Sequence, residues 1–290
     1  MKQIERIQYQ KSIKEMQNFE IVDLQLFFST RPRRMLEKDY RLDFWSILYI
    51  IDGNGVHFID FRPFKYQAGS VIFIRRNQVQ HFEINSRVKG YIIHINEAMM
   101  LQLNDLNTDF LWDVVDTSYG SPVVQMESGK ASTTRLLVDL IYNEYNQFSE
   151  RDKSAFIKSL FESFILSIER ELDSNKGQSN TTDYIVFKKF RKLVENHYTE
   201  RMPLEFYEKK IGLSKKTINL ATRRMVDMSA KEYINQRLHL EIKRYLSQGE
   251  LMIYEIAELL GFDEPANMTK FFKRYEKITP KDFRKVCIKE

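Results

Sequence analysis

The sequence predicts a protein of the α+β class with two domains, a strand-rich N-terminal half and an all-α C-terminal half. Three observations predict it. Short apolar runs separated by turn residues occupy the first third of the chain, helical patterns occupy the rest, and a polar segment interrupts the helical part. A chain of 290 residues with 43% hydrophobic content is also long enough to bury more than one core.

The predicted strands extend from about Val22 to Ile95. Runs such as FWSILYII and SVIFI are rich in β-branched and aromatic residues, and Gly or Asn interrupts them at close intervals, as at Asp52-Gly53-Asn54-Gly55. This pattern is typical of an antiparallel sandwich or barrel.

From about Ser128 the apolar residues recur with a helical period, which predicts two amphipathic helices. The second helix has its apolar stripe between Phe156 and Ile168. Such helices either cover the strands or pair with a second copy of the chain. The candidate residues for pairing, on the first helix, are Leu136, Leu140, Ile141 and Tyr145.

The segment from Asp173 to Thr182 has no apolar residue and is rich in Ser, Asn and Thr, so it cannot contribute to a core. We therefore predict an N-terminal domain at 1–172, a linker at 173–182 and a C-terminal domain at 183–290. Charge divides similarly: residues 183–290 contain 23 Lys and Arg against 16 Asp and Glu, a net +7, which leaves −2 for the first 182. This asymmetry favours a nucleic-acid-binding module joined to a neutral one.

Composition also argues against several classes of protein. Cys287 is the single cysteine, which rules out an intramolecular disulfide, and the charged N-terminus has no apolar segment to direct export. No apolar run approaches the roughly 18 residues of a membrane span. The sequence offers no recognisable nucleophile, carboxylate pair or phosphate-binding loop. We expect a cytoplasmic protein that is not an enzyme.

A repeat occupies the C-terminal half. Residues 204–214 and 253–263 align at an offset of 49, and each pairs a short amphipathic helix with a glycine turn, at Gly212 and Gly261. Residues 228–233 and 278–283 align at an offset of 50, and both predict a capped helix start, with Ser229 or Thr279 as the N-cap. Each copy therefore predicts a helix, a glycine turn, a second helix and a capped third helix.

Both second helices present an amide among cations. In the first copy Lys216, Asn219 and Arg223 share one face, and in the second Asn267, Lys270 and Arg274 repeat that spacing. Asparagine can contact adenine through two hydrogen bonds, while Lys and Arg reach guanine or phosphates. One such face is often merely solvated, but its repetition favours base reading in double-stranded DNA. The predicted DNA contacts are Lys215, Lys216, Asn219, Arg223, Arg224, Asn267, Lys270, Lys273 and Arg274.

Three segments of the second copy carry a resemblance to a known family. Ile256 to Phe262, Phe271 to Tyr275 and Ile278 to Arg284 look like the signature of AraC-type transcription regulators. The resemblance implies a seven-helix domain with two helix-turn-helix motifs. The first copy departs from the usual pattern at Glu208, where a small residue normally packs, at Leu220, where a polar or basic residue is frequent, and at Asp227, where Gly commonly ends the helix.

The N-terminal half is similar, more loosely, to the cupin-like sensor barrels of these regulators, at residues 49–55, 66–74 and at His81. This resemblance implies a small-molecule effector inside the barrel, a homodimer formed by the adjoining helices, contact with RNA polymerase, and activation more than repression. The predicted effector pocket comprises Trp45, Tyr49, Phe73 and Tyr91, with Arg75 or His81 as its polar anchor.

Two alternatives remain for the barrel. It could serve only for dimerisation, without an effector, or it could belong to a cupin enzyme. The enzyme would need converging metal ligands, and the candidates are His57, His81 and His94. Since no His-x-His pair occurs, we expect structural histidines, no bound metal and no cofactor.

Overall fold

The structure is a computed structural model that describes residues 5–7, 18–83, 87–96, 98–99, 121–126, 128–147, 153–175 and 182–289. The described residues before position 176 form one compact unit and those from Thr182 onward form a second. None of the helices in these ranges is long and apolar enough to cross a membrane.

Among its described residues, the N-terminal unit forms two five-stranded sheets and the four helices whose bounds are given below. The first sheet has the order β1-β3-β8-β5-β6 and the second β10-β7-β4-β9-β2; neighbours are antiparallel apart from β1 and β3, which are parallel. The predicted antiparallel fold is therefore confirmed. The strands are β1 Glu5–Ile7, β2 Phe19–Asp23, β3 Tyr40–Leu42, β4 Trp45–Asp52, β5 Asn54–Ile59, β6 Arg62–Gln67, β7 Ser70–Ile74, β8 Val79–Phe82, β9 Lys89–Ile95 and β10 Val123–Gln125, and the helices are α1 Leu24–Thr30, α2 Arg33–Leu36, α3 Ser128–Asn146 and α4 Lys153–Asn175.

The second sheet is buried on both faces. Along β4, Leu48 and Ile50 join residues of the first sheet in one core, whereas Ile47 and Tyr49 join residues of α3 and α4 in another. Successive side chains of a strand point to opposite faces, so a strand covered on both sides needs apolar residues at every position. This requirement explains why FWSILYII is a nearly continuous apolar run.

The predicted effector pocket needs correction, because its aromatic residues lie outside the space between the sheets. Trp45, Tyr49 and Phe73 belong to the core formed with α3 and α4, and Tyr91 packs against the same core. The Tyr91 hydroxyl donates a hydrogen bond of 2.8 Å to Asp139 of α3. The sequence could not decide the direction of these side chains, since both faces of the sheet are apolar.

His81, one of the two proposed polar anchors, does not line the inter-sheet core either. His81 alternates with the buried Gln80 and Phe82, so it points away from the second sheet; its ring stacks on Phe58 at 4.3 Å and its Nδ1 lies 2.6 Å from Asp39. Arg75 is half-buried in the connection between β7 and β8. Among the described residues, no group of three His, Cys, Asp or Glu side chains could hold a metal ion.

The predicted pairing stripe on α3 divides into exposed and buried residues. Leu136 and Leu140 are 61% and 50% exposed, but Ile141 and Tyr145 are buried in the core below the helices. Ile141 and Tyr145 are therefore core residues, and the prediction that they lie at a dimer surface is corrected. Leu140 and Ile141 differ by about 100° around the helix, which suffices to place them on different faces.

The C-terminal unit contains seven α-helices within the described residues, in agreement with the family resemblance. Helix α4 continues to Asn175, three residues into the predicted linker, because no Gly or Pro occurs there to end it; residues 176–181 lie outside the described ranges. The helices are α5 Thr182–His197, α6 Leu204–Ile211, α7 Lys215–Val226, α8 Ala230–Gln248, α9 Ile253–Leu259, α10 Pro265–Glu276 and α11 Pro280–Lys289, with a 3-10 turn at Tyr198–Glu200.

The predicted caps of the third helices are present. The hydroxyl of Ser229 accepts a hydrogen bond from the backbone N–H of Glu232, and the Glu232 carboxylate accepts one from the backbone N–H of Ser229, which completes a capping box. Thr279 likewise accepts a hydrogen bond from the backbone N–H of Asp282. Helix α8 therefore begins at Ala230, and its 19 residues span about 28 Å at the standard rise per residue.

Candidate nucleic-acid interface

The first helix-turn-helix unit consists of α6, a turn at Gly212 and α7. Gly212 adopts the left-handed conformation, with φ of 75°, and ends α6. Ser214 caps α7 by accepting a hydrogen bond from the backbone N–H of Thr217 at 3.2 Å. Ile218 and Thr222 face the core of the unit and are fully buried. The opposite side of α7 is exposed.

The second unit consists of α9, a turn at Gly261 and α10. Gly261 also has a positive φ, of 67°. Helix α10 begins at Pro265, a residue suited to the first helical turn because its missing N–H would have no partner there. Met268 and Phe272 are buried, so α10 uses the same inward spacing as α7.

The two second helices align at an offset of 50 rather than the 49 of the glycine turns. Their N-caps are Ser214 and Glu264, and each ends at a left-handed residue, Asp227 or Lys277. The second turn therefore contains one additional residue. The predicted equivalence of the two polar faces, which pairs residues at an offset of 51, is therefore corrected. At an offset of 50, the residues of α7 that correspond to Asn267, Lys270 and Arg274 are Thr217, Leu220 and Arg224.

Several predicted contacts on α7 have partners within the protein. Lys215 pairs with the Glu205 carboxylate, and this hydrogen bond holds the pKa of Glu205 below its usual value. Arg224 donates to Asp183 at 2.6 Å. The amide of Asn219 donates to the Lys215 carbonyl at 2.9 Å and accepts from the backbone N–H of Ala230 at 3.0 Å, so it links α7 to the start of α8. This use of both amide groups argues against base reading by Asn219.

The remaining predicted contacts on α7 are Lys216 and Arg223, both of which are exposed. On α10 all four predicted contacts are exposed: Asn267, Lys270, Lys273 and Arg274. The guanidinium of Arg274 donates to the Tyr275 hydroxyl at 3.1 Å and lies 5.0 Å from the centre of that ring. No hydrogen bond or ion pair joins the side chains of Asn267 and Lys270 to other residues in the described parts of the chain.

Acidic residues that the prediction of DNA contacts did not include change the first unit. Glu205 and Asp183 neutralise two cations of α7, as described above. Glu208 accepts a hydrogen bond of 3.3 Å from the backbone N–H of Lys215, at the first turn of α7. Its departure from the family pattern was visible in the sequence, whereas the partnership of Asp183 with Arg224 joins residues 41 positions apart and requires the fold.

Comparisons with known proteins match both halves of the chain. The AraC-like ligand binding domain family matches residues 38–111, and a helix-turn-helix domain family matches residues 207–286. The transcriptional activator RhaS of Pectobacterium carotovorum subsp. carotovorum is 23% identical over 259 residues, covering 87% of this chain and 89% of that protein. The activator RhaR of Cronobacter sakazakii is 20% identical over 247 residues, covering 83% and 84%. Among solved structures, ToxT from Vibrio cholerae O395 is 13% identical, with a TM-score of 0.44 and coverage of 93% and 98%.

The two matched families correspond in order to the sheet-containing unit and to the helical unit with its paired motifs. The regions matched by these relatives cover most of both units, and the relatives are named as helix-turn-helix transcriptional activators. The chain is a member of the AraC family of sequence-specific, DNA-binding transcription regulators.

Proposed function

We propose that this regulator activates transcription from the cytoplasm, without catalysing a reaction, and that α10 is its principal reader of base sequence. The observation that carries the assignment to α10 is the state of Asn267 and Lys270, which are exposed side by side on the outer face of a recognition helix without intramolecular partners among the described residues. In the major groove, an amide and an ammonium group at this spacing can contact adenine and guanine. Activation is favoured by the named activity of the relatives.

Replacing Lys270 or Asn267 with alanine is expected to weaken binding to the preferred DNA site by about 1–3 kcal/mol, because each change removes a good base contact. The preferred site is obtained by selecting randomised duplexes with the full chain. Affinities for that site and for random DNA are then compared at several salt concentrations, since phosphate attraction alone gives steeply salt-dependent, sequence-indifferent binding.

Lys209→Ala provides the matched control, because Lys209 is an exposed cation on α6 and not on a recognition helix. Its removal should leave the ratio of specific to random affinity unchanged. If Lys270→Ala and Asn267→Ala both retain full affinity for the preferred site, α10 does not read the bases.

For the effector, we propose a corrected location between the two sheets. Glu20, His94 and Ser46 lie side by side across β2, β9 and β4, and the strand alternation directs them toward the first sheet. The Ser46 hydroxyl and His94 Nδ1 are buried and have no hydrogen-bond partner among the described residues. Such buried groups are costly, by about 1–3 kcal/mol each. A small polar ligand at this position would satisfy them.

Charges near this row suit a polar ligand. Burial, followed by the charge of Arg31, lowers the pKa of His94 to about 3, so its imidazole is neutral near pH 7 and offers one donor and one acceptor. Burial also raises the pKa of Glu20 and lowers the pKa of Arg31. The charge of each group opposes the effect of burial on the pKa of the other. The ring of Phe44 lies 4.8 Å from that of His94 and provides an apolar wall.

Thermal unfolding across a panel of sugars, amino acids and small carboxylates tests this location. A ligand present at a hundred times its dissociation constant adds about 2.7 kcal/mol to stability. Ser46→Ala should reduce the shift caused by any active compound without destabilising the free protein. Tyr49→Phe, on the opposite face of the same strand, should keep the full shift. Loss of the shift in Tyr49→Phe but not in Ser46→Ala would contradict the corrected location, and no shift with any compound would favour a barrel that only dimerises.

We also propose a homodimer that pairs through the exposed leucines of α3, and contact of the DNA-bound dimer with RNA polymerase. Leu136 and Leu140 lie one helical turn apart on the solvent-facing side of the helix. Exposed apolar residues at this spacing are suited to packing against a second helix.

A further inference from the structure

Leu220 is an exposed apolar residue at the centre of the cationic face of α7. Its side chain is 44% exposed, although Ile218 and Ala221 beside it are fully buried. Lys216 precedes it by one helical turn, and Arg223 and Arg224 follow it by another, all three exposed. Residues three and four positions apart are neighbours on a helix surface, so Leu220 lies between these cations.

The structural alignment of the two motifs gives Leu220 the place that Lys270 occupies on α10. The pairs Ser214 and Glu264 at the N-caps, and Asp227 and Lys277 at the left-handed ends, fix the offset at 50. Where α10 presents the ammonium group of Lys270, α7 therefore presents the branched apolar side chain of Leu220. If both helices enter the major groove, these two positions meet equivalent parts of their base pairs.

The major groove offers one apolar group, the C5 methyl of thymine. We propose that Leu220 contacts a thymine methyl and so specifies thymine at one position of the DNA segment read by α7. This inference rests on the proposed function, since it requires that the helix-turn-helix units bind a preferred sequence. Lys215, Asn219 and Arg224, which have partners within the protein, leave Leu220 with Lys216 and Arg223 as the groups available to the groove.

Deoxyuridine, which differs from thymine in the absence of the methyl group, provides the test. Each thymine of the selected duplex is replaced in turn, and the affinity of the full chain is measured. At one position in the DNA segment read by α7, we expect the affinity to fall about fourfold. This is the effect of removing one buried methyl-sized group from an apolar contact. Leu220→Ala should bind the thymine and deoxyuridine duplexes equally at that position.

Leu220→Lys gives a second, independent outcome, because it places in α7 the residue that α10 has at the same place. Repeated selection with this variant should replace thymine at that position, with guanine favoured since Lys can contact guanine O6 and N7. Leu259→Ala removes another exposed leucine, at the end of α9, and should retain the deoxyuridine effect of the unaltered chain. Circular dichroism of each variant checks that the helices are intact.

The inference is overturned if the unaltered chain selects a sequence but no deoxyuridine effect depends on residue 220. Leu220 would then contact protein or solvent instead of a base, while the proposed function would stand. If the unaltered chain selects no sequence at all, the proposed function fails and this inference with it.

Discussion

Glu241→Ala is expected to lower the free energy of unfolding of the helical unit by about 3–5 kcal/mol, because it removes the anion between two buried arginines of α8. One oxygen of the Glu241 carboxylate accepts hydrogen bonds from Arg237 at 2.8 Å and from Arg244 at 3.1 Å. All three residues are at most 5% exposed. Without Glu241 the two guanidinium groups would remain buried close together with less compensating charge.

The ion pairs of Arg237 also attach α8 to α5. The Nε–H of Arg237 donates to both carboxylate oxygens of Glu195 of α5, at 2.8 and 2.9 Å, and its guanidinium stacks 4.1 Å from the centre of the Tyr198 ring. Since α8 connects the two helix-turn-helix units, its attachment to α5 helps to fix their relative position. We therefore expect Glu241→Ala to weaken specific DNA binding as well as stability.

Urea titration of the full chain measures the stability effect. Both tryptophans, Trp45 and Trp112, belong to the N-terminal half, so tryptophan fluorescence follows that half while circular dichroism reports on all helices. Glu258→Ala, which removes an exposed carboxylate from α9, should change stability by no more than about 0.5 kcal/mol. A loss below about 1 kcal/mol for Glu241→Ala would mean that the arginines find other partners or water.

The sequence alone sufficed for features determined by local chemistry. The alternation of apolar runs with glycine and asparagine located the strands, and the capping box at Ser229 and Glu232 located the start of α8 within one residue. The positive φ of Gly212 and Gly261 followed from the need for a tight turn between two helices. These features depend on neighbouring residues, which a single sequence displays.

The features that the sequence could not reveal depend on residues distant along the chain. Trp45 and Tyr49 were predicted to line an effector pocket, and the structure places them in the core formed with α3 and α4. Because the second sheet is covered on both sides, an apolar strand gives no indication of which side chains face the first sheet. Asn219 has an amide side chain suited to reading a base, but its side-chain carbonyl accepts a hydrogen bond from the backbone N–H of Ala230. Only the fold brings these two residues together. The two polar faces were matched at an offset of 51, whereas the helix ends align at 50, and a shift of one residue rotates a helix face by about 100°.

The glycines of the two turns are expected to differ strongly in their response to substitution. Gly212→Ala should cost about 1–2 kcal/mol, the penalty for a left-handed conformation, because an added Cβ meets no atom within 4 Å. Gly261→Ala should cost about 3 kcal/mol or more, because the same penalty is joined by overpacking. Its Cβ would lie 2.1 Å from the carbonyl oxygen of Thr199, a backbone atom that cannot move aside alone.

This difference has a consequence for DNA binding. Thr199 belongs to the 3-10 turn that follows α5, and Arg201 just beyond it stacks 4.4 Å from the centre of the Phe262 ring. Relief of the clash would separate the turn before α10 from these residues and so shift α10 relative to α7. Urea titrations and affinities for the selected duplex, measured for both variants, test this. Equal losses would mean that only the dihedral requirement acts at both turns, whereas a much larger loss for Gly261→Ala would identify the close approach to Thr199 as the contact that positions the second recognition helix.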